Sequence, residues 1–157
     1  MNFKKIILYK EPAIPEIDIK QLVDFIEDNF PFEVIIKENI FKEFSLENIK
    51  QLSYSRIMDI KSTFSKHESS DSEIEFEKQM CQNSSLMNST TKVEDAEEIS
   101  QVFMYDGFEL QRILRYLNED NETLRIILTN RLTCTFDEND KRYHARAVIC
   151  ANPAIIS

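Results

Sequence analysis

Few side chains in this sequence have the types and spacing that chemistry needs. His144 stands between Arg142 and Arg146, two residues from each. On a strand that spacing places all three on one face. An Arg-His-Arg row could hold a carboxylate or phosphate, because Arg presents a bidentate fork. The plainer alternative is a solvated face whose charges guard a sheet edge. Arg142, His144 and Arg146 are therefore the candidate peptide- or anion-binding residues, on an edge strand 142–150 to which a peptide could add by β-augmentation. His67, flanked by Lys66 and Glu68, reads as a surface histidine.

A zinc site needs three or four converging ligands. Cys81, Cys134, Cys150, His67 and His144 show no C-x-x-C, H-x-x-x-H or H-E-x-x-H spacing. Cys150 and His144 are six residues apart, roughly 20 Å along a strand, so they make no Cys–His nucleophile. The turn Asp137-Glu138-Asn139-Asp140 suggests calcium only superficially. Arg142 stands where the calcium loop needs glycine at position 6, and Val148 where it needs glutamate at position 12. Gly107 is the only glycine, which excludes a Gly-rich phosphate cradle of the P-loop or Rossmann kind. No catalytic residue and no metal ligand is assigned, and no cofactor within the chain.

The elements that must position these residues belong to a chain of 157 residues and 18.5 kDa, enough for one domain with a core. Net charge −9 argues against a nucleic-acid partner. No apolar run approaches the ~20 residues of a membrane span, so no membrane partner is expected. Three cysteines without a secretion signal point to free thiols in a reducing, cytoplasmic setting.

Charge divides the chain. Residues 62–100 carry 3 basic and 9 acidic side chains and supply six of the nine net negative charges. Rich in Ser, Thr and Asn with sparse apolar residues, they read as a flexible acidic insert with a short helix around 73–82. Residues 1–61 and 101–157 then form one discontinuous domain. The sequons at Asn83, Asn88 and Asn121 carry no meaning without export.

In the flanks, Ile6-Ile7-Leu8-Tyr9 reads as a buried strand closed by Pro12 and Pro15. Asp18 and Gln21 open a helix with the stripe Ile19, Leu22, Val23, Ile26 and Phe30. A second strand over 32–36 follows Pro31, and a parallel βαβ unit is the default. Ser45, with Phe44 and Ile49 as staple, starts a helix to about Ile60. Asp106, with Glu109 completing a capping box and Tyr105 meeting Leu110, starts another.

The C-terminal third reads as β. Residues 124–128 form a strand, and 131–136 with 142–150 form a half-buried antiparallel hairpin. Pairing Phe136 with Tyr143 sets Cys134 opposite Ala145 and Leu132 opposite Ala147. Leu132, Cys134, Phe136, Tyr143, Ala145, Ala147 and Ile149 then make an apolar face, and Arg131, Thr133, Thr135, His144, Arg146 and Val148 the other. The fold class is α/β: a mixed sheet with an N-terminal parallel βαβ unit, a C-terminal antiparallel hairpin at the edge, and about three helices.

Three strings carry a resemblance: Tyr105-Asp106-Gly107-Phe108-Glu109-Leu110-Gln111-Arg112, Thr129-Asn130-Arg131-Leu132-Thr133-Cys134-Thr135-Phe136-Asp137 and Arg142-Tyr143-His144-Ala145-Arg146-Ala147-Val148-Ile149. With Ile7-Leu8-Tyr9 and Phe30-Pro31, they resemble a largely archaeal family of unknown function catalogued among the metallopeptidases, archaemetzincin-like in style. The likeness covers 1–61 and 101–157, and the acidic insert has no counterpart in it. Such peptidases place the zinc helix after an N-terminal mixed sheet whose antiparallel edge strand can hold peptide substrate. The resemblance thus implies the N-terminal, substrate-side part of a zinc peptidase. Zinc is expected only where the chain continues beyond Ser157, and the residues given are non-catalytic alone. Without that continuation, Ile155, Ile156 and part of the hairpin face would be exposed and could self-associate. The rival is a small interaction or regulatory module whose acidic insert binds a protein partner.

Overall fold

The computed structural model describes residues 3–11, 17–63, 68–83, 103–117 and 122–157. Strand β1 (Lys5–Lys10) carries the apolar run Ile6–Tyr9, buried on both faces, as a strand covered from two sides requires. Helix α1 (Ile19–Asn29) starts where Asp18 accepts the Gln21 N–H at 3.1 Å and ends before Pro31. Strand β2 (Glu33–Lys37) then lies parallel to β1, with Ile6 opposite Val34 and Leu8 opposite Ile36. The expected βαβ unit is present. Prolines 12 and 15 lie outside the described residues, as do His67, Asn88 and Asn121.

After one 3-10 turn (Ile40–Glu43) capped by Asn39, helix α2 spans Leu46–Tyr54. Its Ser45 box closes through Asn48. Helix α3 (Asp71–Gln82), strand β3 (Met104–Asp106) and helix α4 (Gly107–Arg115) follow. The chain finishes with β4 (Thr123–Leu128), β5 (Leu132–Asp137), β6 (Arg142–Ala145), β7 (Val148–Ile149) and β8 (Ala154–Ile156). The order is β2-β1-β4-β8-β7 in a five-stranded sheet and β3-β5-β6 in a three-stranded one. In the larger sheet β7 is antiparallel to β8, and every other pair is parallel. The fold is mixed α/β.

The two faces of the larger sheet bury different sets. Ile7, Tyr9, Ile127 and Ile155 meet Leu52 of α2 with Leu110, Ile113 and Leu114 of α4. On the other face Leu8 and Leu128 meet Ile19 of α1. At about 25 cal/mol per Å2 of apolar surface, this double burial is the main stabilising term.

Several expectations are corrected. Helix α2 stops at Tyr54 because residues 55–60 leave it to cover the smaller sheet. The Ile57 N–H donates to Met104 O (2.9 Å), Asp106 N–H to Ser55 O (2.9 Å) and Tyr143 N–H to Ile60 O (2.7 Å). The Asp106 box is likewise incomplete, since Glu109 turns to Arg112 at 2.7 Å. The hairpin keeps its register from Asp137 opposite Arg142 to Cys134 opposite Ala145. It does not reach Leu132 and Ala147, because the chain crosses there to the larger sheet as β7. Nor is the hairpin's polar face solvated throughout: Arg131 and Thr133 are fully buried and Thr135 nearly so. The C-terminal tail is strand β8, with Ile155 fully buried between β4 and β7.

The described part of the acidic stretch is built into the body. Helix α3 buries Ile74, Glu77, Met80 and Cys81, and Ile74 and Cys81 join the main core. Its apolar residues are too few for a core of their own, and they complete this one. No helix among the described residues is long and apolar enough to cross a membrane.

Candidate functional site

Among the described residues, strand β7 ends the five-stranded sheet and turns backbone outward. Ala147 O accepts from Ser157 N–H at 3.0 Å, and Ile149 stands opposite Ile155. By the alternation of an antiparallel pair, Val148 turns its own N–H and C=O away from β8. The Val148 side chain is 48% exposed, while Ile149 is buried. One extended residue at a sheet end, with both polar groups outward, is the seed that β-augmentation uses.

The strand is held from three sides. A Cβ at Gly107 would lie 2.8 Å from Ile149 Cδ1, 3.0 Å from its Cγ1 and 3.3 Å from Cys134 O, so a single absent methyl lets α4 and β7 approach. Gln111 Nε2 donates to Pro153 O at 2.9 Å. Asn152 donates to Thr123 O at 2.9 Å and accepts the Arg125 N–H at 3.1 Å. The turn before β8 is thereby tied to α4 and to β4.

The predicted row does not converge on one ligand position. Arg142 Nε and His144 Nε2 both reach Asp140 Oδ2, at 2.8 and 2.7 Å. Arg146 Nε donates to Thr135 Oγ1 at 2.7 Å. Arg142 and His144 lie on β6, whose edge Ile60 partly covers, and Arg146 lies in the crossing to β7. The open edge starts two residues beyond Arg146.

One group of side chains has the proximity of a metal site: Asp137, Asp140 and His144 place ligand atoms within 4.8 Å of one another. It does not fit a catalytic zinc. The Arg142 guanidinium already shares the Asp140 oxygen, the group offers one imidazole, and it sits on the exposed β5–β6 turn. Partial desolvation works against the Asp140 charge, yet the Arg142 and His144 hydrogen bonds hold its carboxyl below the ordinary value. The turn is a self-satisfied polar loop.

The most perturbed groups are structural and lie inside. Arg131, fully buried, gives Nη1 to Glu77 Oε1 (2.5 Å) and Tyr105 Oη (2.9 Å). Its Nε is 3.7 Å from Glu11 Oε1, and its guanidinium lies 4.3 Å from the Phe41 ring centroid. Glu77 also takes Arg56 Nη2 at 2.6 Å. Burial disfavours the Arg131 charge, but Tyr105, Glu77 and Glu11 together hold it firmly protonated. Burial and Glu77 push the Tyr105 phenol up, and burial pushes the Cys81 thiol up to about 12. Two arginines against two carboxylates leave this cluster nearly neutral, and it joins α3, β1 and β3 to the start of β5. Arg56 also floors a cleft of about 460 Å3 between Phe76, Phe103, Met58 and Met104. Sequence reasoning missed the network because its members are scattered over 120 positions, with no local spacing to reveal them.

Residues 2–157 match a family described as Probable metallopeptidase family (DUF6775). The match runs through the 62–100 stretch, for which the resemblance offered no counterpart. No curated protein matches the chain, and no solved structure matches it.

Proposed function

The chain belongs to the Probable metallopeptidase family (DUF6775), and on that footing we propose that these residues form the substrate-side frame of a zinc peptidase. In this reading β7 receives an extended peptide and the metal is held elsewhere. The observation that carries the reading is the antiparallel edge strand β7 of the five-stranded sheet, with the Val148 N–H and C=O directed outward. A peptide strand laid against it gains main-chain hydrogen bonds whatever its sequence, which suits a peptidase that must bind many substrates. In this reading Arg146, exposed and two residues upstream of Val148, would meet the peptide's carboxylates at the rim. The bond-breaking metal is not assigned to Asp137, Asp140 and His144, for the reasons given above, so these residues alone do not hydrolyse peptide.

The test is capture of casein peptides by the 157-residue chain and by Val148→Pro. Proline removes an N–H that the β7–β8 ladder does not use, so the fold should persist while capture falls. Capture unchanged in a folded Val148→Pro variant, or capture by neither protein, would contradict the reading.

A further inference from the structure

The opposite end of the five-stranded sheet is a second open edge, and its sequence is self-complementary. Strand β2 reads Glu33-Val34-Ile35-Ile36-Lys37, and among the described residues it pairs with β1 alone. The Glu33 N–H donates to Lys4 O at 3.4 Å, so Glu33 faces β1. By strand alternation Val34 and Ile36 turn their N–H and C=O outward. The Val34 N–H indeed reaches away from β1, to the exposed Glu27 Oε1 at 3.3 Å.

We propose that β2 pairs antiparallel with β2 of a second copy of this chain, about a two-fold axis through Ile35, joining two five-stranded sheets edge to edge. Three facts select this occupant and this register. Centring on Ile35 sets Val34 opposite Ile36 of the other copy, so outward groups meet outward groups and exchange four hydrogen bonds. The same register sets Glu33 opposite Lys37 twice, one opposite-charge pair at each end, in the closer non-hydrogen-bonded positions. Ile36, on the sheet face that α1 covers, is 52% exposed, and Phe30, three residues before β2, is 49% exposed. Edge strands that avoid partners carry an inward charge, a proline or a bulge in their middle, and the middle of β2 is Val-Ile-Ile. A two-fold contact uses the same edge on both copies and therefore closes as a dimer. Glu27 is the group that must move: its hydrogen bond to Val34 is long and exposed, and the Ile36 C=O of the second copy replaces it. Glu33 and Lys37 are held loosely within their own copy: Lys5 Nζ lies 3.8 Å from Glu33 Oε2, and Lys37 Nζ lies 5.7 Å from the Tyr9 ring centroid.

The test is a charge swap read by light scattering across a concentration series, with circular dichroism to confirm folding. Wild type should dimerise. Glu33→Lys and Lys37→Glu alone each set like charges opposite one another twice and should give monomers. The double variant Glu33→Lys/Lys37→Glu restores both pairs and should dimerise again. A monomeric wild type would overturn the proposal. So would a dimer indifferent to the single reversals, which would place the contact on another surface, or a double variant that stays monomeric. None of these outcomes depends on peptide binding at β7, which lies at the other end of the sheet.

Discussion

Glu77 faces two guanidiniums and a phenol with almost no solvent, and removing its charge strands Arg131 and Arg56 inside. Breaking one partner of a buried pair costs about 3–5 kcal/mol, so Glu77→Gln should be among the most damaging single substitutions, measured by urea unfolding. Arg131→Met keeps Glu77 paired with Arg56, and Glu11 keeps the Thr129 hydroxyl and the Asn130 N–H, so it should cost less than Glu77→Gln. The thiols give a second residue-scale prediction. Cys150 is exposed, while Cys81 and Cys134 are buried. At pH 8, iodoacetamide should label Cys150 alone in the native protein and all three only after unfolding, as read by peptide mass. The pH dependence follows with its sign. The folded Cys81 thiol sits near 12 against an ordinary 9.0, and the Tyr105 phenol is also raised. Both favour folding while protonated, so this contribution is full below pH 9 and is lost as pH rises toward 12. Thermal unfolding from pH 8 to 11 should show stability falling.

At the scale of elements, α3 and β7 decide how the molecule is built. Deleting 66–98 would remove Glu77 with Ile74, Met80 and Cys81, so near-UV circular dichroism should show loss of the fold rather than a trimmed, intact body. Gly107→Ala would overpack Ile149 at a cost of about 1–3 kcal/mol. Ile149→Val deletes the nearest clashing atom, Cδ1. The double variant should therefore be more stable than the sum of the single effects predicts, which a double-mutant cycle in urea would show. Much of this architecture was legible beforehand: β1, α1 and β2 from apolar runs and a cap, and the hairpin register from Phe136 opposite Tyr143. Caps and alternation are local, and they are written in neighbouring residues. What escaped is non-local. The crossing of 146–147 between sheets, the strand at Ala154–Ile156 and the docking of α3 on Arg131 depend on partners far along the chain. The same limit applies to the proposed site: local spacing singles out Arg142, His144 and Arg146, whereas the outward backbone of Val148 follows from its pairing with β8.

For the whole molecule, the two ends of the larger sheet are proposed for separate partners: β2 for a second copy and β7 for an extended peptide. The metal is assigned to neither. The 157-residue chain, dialysed against zinc and washed, should retain less than stoichiometric zinc and leave casein uncut; one tightly held zinc per chain would return attention to Asp137, Asp140 and His144. Peptide binding at β7 is tested by residue-resolved amide hydrogen exchange of the chain with and without excess casein peptides. The Val148 amide should exchange rapidly in the free protein and slow when peptide is added, while the β1 and β4 amides should not change. A Val148 amide indifferent to peptide, or protection appearing at another strand instead, would contradict binding at β7.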